Sequence, residues 1–168
     1  MCAFEDEADA EHFYNVLGYR LEKFGLKLSV AKTRVIPFTR QAAPGKTRFE
    51  FLGFEFYWGT DRAGKPHLKR CTARKKLRNS LKSFALWCKK NRHLKPHHLF
   101  KRLNAKLRGY YNYYGVHGNY DSLKQFFDAA LHILFKWLNR RGQHHGYNWT
   151  GFKELIRHFH IERPRIVG

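Results

Sequence analysis

Along this chain the spacing of apolar positions changes twice, from a helical period to a strand period and back. Ala10, Phe13, Tyr14, Leu17 and Leu21 recur at one-turn steps, which predicts an amphipathic helix over residues 6–24 with acids in its first turn and Gly25 as its stop. Leu26–Val30 and Thr33–Phe38 are short β-branched and aromatic runs that read as strands, with Pro37 marking the second as an edge or strand end. Beyond a Pro/Gly loop at residues 41–47, aromatics alternate at Phe49 and Phe51, slip phase at Leu52-Gly53, and alternate again at Phe54, Phe56 and Trp58. A phase slip at a glycine predicts a bulge or sharp bend. Turn residues at 59–65 then return the chain as a partner strand over Lys65–Cys71.

From Thr72 onward the helical period resumes. In Thr72–Asn91, Leu77, Leu81, Phe84, Ala85 and Cys88 share one arc, and Arg74, Lys75, Arg78, Lys82 and Lys89 occupy the arc beside it. Pro96 suits a first helical position, and Leu99, Leu103, Leu107, Tyr110, Tyr111 and Tyr114 form the apolar face of the helix that follows. Lys101, Arg102, Lys106, Arg108, Asn112 and Tyr113 fall off the centre of that face. Gly115–Asn119 interrupts. Residues 120–140 then carry Leu123, Phe126, Phe127, Ala130, Leu131, Leu134, Trp137 and Leu138 on one broad face, with Ser122 and Gln125 at capping-box spacing. Trp149, Phe152, Leu155, Ile156 and Phe159 predict a last short helix, and residues 162–168 read as a loose tail. The fold class expected from this order is α+β, divided into a mixed segment at 1–71 and a helical bundle at 72–168.

Charge sharpens this picture. The chain carries 33 Lys and Arg against 13 Asp and Glu, a formal net charge of +20. Residues 1–24 hold six acids and only Arg20 and Lys23 as bases, whereas Arg62–Tyr120 contains seventeen Lys and Arg and no acid. A surface serving solubility alone mixes signs, so this segregation points to a polyanionic partner, with a merely solvated basic face as the alternative. Lys and Arg one turn apart on a helix can neutralise successive phosphates. Arg140 and Arg141, at the end of the broad helix, are explained equally by RNA and by the helix dipole.

Other chemistries find less support. Cys2, Cys71 and Cys88 are widely spaced and form no Cys-x-x-Cys pair, which predicts neither a disulfide framework nor a thiolate metal site. The paired histidines lack Cys or carboxylate partners at ligand spacing, so no metal site is expected. No secretory leader and no apolar run near the length of a membrane span is present, and the expectation is a cytoplasmic protein away from membranes.

Two stretches resemble a known family. Gly25-Leu-Lys-Leu-Ser-Val-Ala-Lys-Thr-Arg-Val-Ile-Pro-Phe38, followed by Phe49-Glu-Phe-Leu-Gly-Phe-Glu-Phe56, resembles the end of the palm in reverse transcriptases encoded by group II introns. Leu107-Arg-Gly-Tyr-Tyr-Asn-Tyr-Tyr114 resembles the maturase-specific region, domain X, which forms the thumb of those enzymes and grips intron RNA. The resemblance implies that Lys32 and Thr33 match the motif following the catalytic strand. It likewise implies that Phe51, Leu52, Gly53 and Phe54 match the hairpin supporting the primer end.

The family's Tyr-Ala-Asp-Asp strand, whose carboxylates hold two magnesium ions in the full-length enzyme, would precede Cys2 and has no counterpart here. The resemblance therefore implies an RNA-binding fragment that promotes splicing, with no cofactor of its own and no polymerase activity alone. Its RNA contacts would come from Lys32, Arg74, Lys75, Arg78, Lys82, Lys89, Lys101, Arg102, Lys106, Arg108, Asn112, Tyr113, Arg140 and Arg141. The partner is expected to be structured, group II intron RNA, with DNA or an RNA–DNA hybrid also open. Two alternatives stand beside it: a piece of a split RNA-directed DNA polymerase that needs an upstream palm and fingers chain, and a decayed remnant.

Overall fold

The computed structural model describes residues 2–40, 47–140 and 146–167. Among these residues, five α-helices and a three-stranded antiparallel sheet make a small α+β fold. The order is α1 (Glu7–Glu22), β1 (Arg48–Phe51), β2 (Phe54–Thr60), β3 (Pro66–Thr72), α2 (Arg74–Asn91), α3 (Pro96–Tyr114), α4 (Tyr120–Leu138) and α5 (Trp149–His158). Strands pair in the order β1-β2-β3. The chain forms two compact units, one of Met1–Phe49 with Tyr57–His67 and one of Glu50–Phe56 with Leu68–Gly168. Glu50–Phe56 and Leu68–Cys71 thus belong with the helices rather than with the N-terminal segment.

In the first unit, α1 carries Glu7 and Asp9 in its first turn and Arg20 in its last, as the helix dipole favours. It closes in a Schellman motif, in which Gly25 takes φ +70 and the Leu26 N–H donates to the Leu21 carbonyl. The strands expected at Leu26–Val30 and Thr33–Phe38 do not form. Val30–Lys32 is instead a 3-10 turn, with the Lys32 N–H and the Thr33 hydroxyl both donating to the Ser29 carbonyl. These side chains suit a pleated surface, but no neighbouring strand pairs with them among the described residues, and local bonds to Ser29 take over. Phe38 packs against Phe49 and Trp58. Asp61 shapes the turn before β3 by accepting from the N–H groups of Ala63 and Lys65, each at 2.8 Å.

The aromatic phase slip is a complete reversal of the chain rather than a bulge. Leu52 (φ 49) and Gly53 (φ 82) form a two-residue turn of the mirror-image type that joins β1 to β2. In the second unit, α2 and α4 run parallel. Their N-terminal ends are joined where the Thr72 N–H meets Asn119 and Ser122, their middles where Phe84 meets Phe126, and their C-terminal ends where Arg92 meets Trp137 and Arg140. Helix α3 runs antiparallel to α2, with Arg102 on Asn91 and Lys106 over Trp87. Helix α5 lays Phe152 against Phe135 of α4.

The apolar faces read from the sequence become one core of Phe84, Cys88, Leu99, Leu103, Leu107, Tyr111, Leu123, Phe126, Ala130, Leu134, Leu138 and Phe152. Phe100, Ile161 and half-buried Ile166 join it. Two local expectations are corrected. Ser122 and Gln125 are not a capping box, because the N-cap of α4 is Asn119 and the Ser122 hydroxyl accepts from Thr72 instead. The tail is not loose: Asn104 bonds the Phe159 and His160 carbonyls and the Glu162 N–H, and the Val167 N–H donates to the Gly115 carbonyl at 2.6 Å. A side chain at Gly115 would meet the Tyr111 and Arg165 carbonyls, which is why this position is glycine.

Candidate nucleic-acid interface

At about 100° per residue, Arg74, Arg78, Lys82 and Lys89 fall within one quarter of the circumference of α2, with Lys75 beside them. All five are exposed, and among the described residues none has a side-chain hydrogen bond or an acidic partner. The first turn of α2 holds no acid and no side-chain cap, although Arg74, Lys75 and Lys76 begin the helix. Cations there oppose the positive end of the helix dipole. Unpaired, dipole-opposed charge destabilises the free protein and is relieved when a polyanion binds.

The α3 candidates divide into two flanks. Arg102, Lys106 and Tyr113 share the side toward α2 and the hairpin, and each is already engaged. The Arg102 guanidinium donates to Asn91 Oδ1 at 3.3 Å, Lys106 Nζ lies 6.0 Å from the Trp87 ring centroid, and the Tyr113 hydroxyl donates to the Leu52 carbonyl at 3.0 Å. The Tyr113 ring stacks on Phe54 at 6.3 Å yet stays 56% exposed. Lys101, Arg108 and Asn112 lie on the other flank, where Arg108 reaches Glu162 at 3.6 Å.

The structure therefore joins Leu52 and Phe54 of the hairpin to Tyr113 of α3, and brings Gly53 beside the Tyr114 ring. The Gly53 carbonyl also accepts from the Ala73 N–H at 2.9 Å, which fixes the hairpin to the start of α2. Phe51 and Leu52 are exposed at the turn. Lys32 is exposed in the 3-10 turn of the first unit. Arg140 is exposed just past α4, and Arg141 lies outside the described residues.

Asn119 is 1% exposed, and the sequence reading missed it. Its Oδ1 accepts from the Thr72 N–H at 2.8 Å, while its Nδ2 donates to Thr72 Oγ1 at 2.9 Å and to the Tyr114 carbonyl at 2.8 Å. One amide thereby aligns β3, the end of α3 and the start of α4. Its only sequence signal was its place at the Gly-rich break after the tyrosines. Beside it, burial pushes the Tyr110 hydroxyl well above its ordinary range, with Tyr114 adding to the effect and Thr72 opposing it. Tyr111 is raised in the same direction by burial and by Glu162. These tyrosines stay neutral and serve packing.

The carboxylates nearest the start of the chain do not fit a two-metal set. Asp6 and Asp9 are exposed at the cap and first turn of α1, and among the described residues no three ligand side chains converge. No described helix is long and apolar enough to cross a membrane. Compared with known protein families, with curated proteins and with solved structures, the chain matches none.

Proposed function

We propose that this chain is an RNA-binding piece of a group II intron reverse transcriptase/maturase. It binds structured intron RNA through phosphate and shape contacts in the cytoplasm and promotes splicing, while the RNA supplies the chemistry. The carrying observation is the stripe Arg74, Arg78, Lys82 and Lys89, exposed and without a side-chain partner among the described residues, on a helix whose adjacent face is locked into a core. Such a stripe binds a regular array of phosphates and carries no sequence code of its own. The family assignment rests on the palm-like and domain X-like stretches, Phe51–Phe54 and Leu107–Tyr114, which the fold sets side by side through Tyr113.

The test is RNA binding across a salt series. Replacing Arg74, Arg78 and Lys82 together by glutamine lowers affinity and reduces the slope of log K against log salt by about 2 to 3. Unchanged affinity and slope would sink the assignment. A group II intron RNA that competes no better than bulk tRNA would remove the maturase part while leaving general RNA binding.

The first unit favours one second reading. Phe24, Leu26 and Val30 are 76%, 56% and 72% exposed, and α1 has no buried residue. An apolar surface of this kind suits a piece of a split RNA-directed DNA polymerase that docks on a palm and fingers chain. Primer extension that appears only when the two chains are mixed would establish it.

A further inference from the structure

The cationic stripe of α2 does not stop at Lys89. Arg92 returns to the same side of the helix as Arg74, about 27 Å further along the axis. Because α2 and α4 are parallel, this end also receives Lys136 from the last turn of α4 and Arg140 just past that helix.

Here two guanidinium groups share one indole. Arg92 Cζ lies 5.5 Å and Arg140 Cζ 5.4 Å from the Trp137 ring centroid, and the Arg92 guanidinium donates to the Arg140 carbonyl at 2.8 Å. The helix dipole explains cations in a last turn but not the gathering of two of them onto a single ring. Among the described residues neither has a carboxylate partner, and residues 141–145 contain no acid. Each guanidinium has five donors, and Arg92 spends one on the carbonyl. The indole fixes the two planar forks and leaves donors free for tetrahedral oxygens.

We propose that Arg92, Trp137 and Arg140 form a phosphate clasp that holds the backbone of an RNA strand at the end of the α2 stripe. The proposal rests on the RNA-binding reading and deepens it by giving the stripe a fixed terminus. The stripe attracts any polyanion by charge. The clasp adds geometry, since bidentate recognition of one phosphate sets where the strand lies along α2.

The discriminating variant is Arg92→Lys, which keeps the charge and removes the planar fork. With a fluorescein-labelled RNA stem-loop and fluorescence anisotropy, Arg92→Lys is expected to weaken binding about fivefold, with a similar loss in Trp137→Leu. The double variant Arg92→Gln with Arg140→Gln is expected to reduce the salt slope by about 1. Far-UV circular dichroism melts accompany each protein, and Arg92→Lys, which keeps the charge and most of the side chain at a half-buried position, decides the matter if Trp137→Leu melts early. Binding by Arg92→Lys equal to the parent overturns the clasp. If the stripe variant of Arg74, Arg78 and Lys82 weakens binding while Arg92→Lys does not, the clasp alone fails. If neither has an effect, the RNA-binding reading fails with it.

Discussion

Replacing Asn119 by alanine removes a side chain that is 1% exposed and bonded to three groups on two other elements. The Thr72 hydroxyl loses both of its bonds to the amide, and the Tyr114 carbonyl keeps only the Val116 N–H at 2.9 Å. The Thr72 N–H retains only the Ser122 hydroxyl at 3.3 Å, longer than the 2.8 Å bond it gives up. A buried polar group left without a partner costs about 1–3 kcal/mol, so one full and two partial losses come to about 2–4 kcal/mol. For a domain of this size that lowers the midpoint of the helical unit by about 10–20 °C. Far-UV circular dichroism melts and urea titrations on the two proteins measure it. Asn119→Asp keeps the acceptor and loses the donor, and is expected to fall between them. A loss below about 0.5 kcal/mol in Asn119→Ala would refute the view that this amide aligns the helices.

Two further outcomes follow from burial and backbone geometry. Burial pushes the Cys88 thiol from 9.0 up to about 12 against the opposing pull of Lys106, and raises Tyr110 and Tyr111 as well. Values raised on folding contribute stability that is complete below the unfolded values and is lost as pH rises through the folded ones. Urea midpoints are therefore expected to show no loss from these groups below about pH 9 and to fall progressively toward pH 12, with Cys88 inert to thiol reagents in the native state. A midpoint still undiminished near pH 12 would contradict this. At the hairpin, Leu52 is 67% exposed at φ 49, a conformation costly for a leucine. Leu52→Asn creates the Asn-Gly pair this turn favours and is expected to raise stability by about 1 kcal/mol in urea titrations, whereas a decrease would show that Leu52 makes a stabilising contact.

Helices were legible wherever an apolar stripe was long enough to define a period. Leu99, Leu103, Leu107 and Tyr111 announce α3 because the residues between them are polar or charged, and the core takes the side the pattern indicates. The run Leu26–Phe38 misleads because β-branched composition describes a side chain suited to a sheet, while a strand also needs an edge to pair with. Phe51-Leu52-Gly53-Phe54 marked a change of direction, but a bulge and a two-residue turn leave the same slip in an alternating sequence.

Contacts that close over long separations left almost no local trace. Asn119 looks like a loop residue, Asn104 like one more polar position on α3, and Ile166 like part of a loose end. Their roles depend on partners elsewhere in the chain. The same holds for the site. The basic stripe of α2 can be counted from the sequence, whereas the meeting of Arg92 with Arg140 requires knowing that α2 and α4 are parallel.

The strapping of the tail over α3 bears on how the second unit comes together in time. Asn104 and Glu162 are 58 residues apart, Tyr111 and Glu162 are 51 apart, and Thr72 and Asn119 are 47 apart. A bundle of sequential helices folds fast when its contacts are local, but these closures are not, and each must overcome chain entropy before it is rewarded. During synthesis, the flank of α3 covered by Ile161 and Ile166 stays open until those residues emerge, long after α2, α3 and α4 can begin to pack. Until then the half-built core presents Phe100, Leu103 and Leu107 from a strongly cationic chain, so the last strap is tied over an apolar surface that water has already reached.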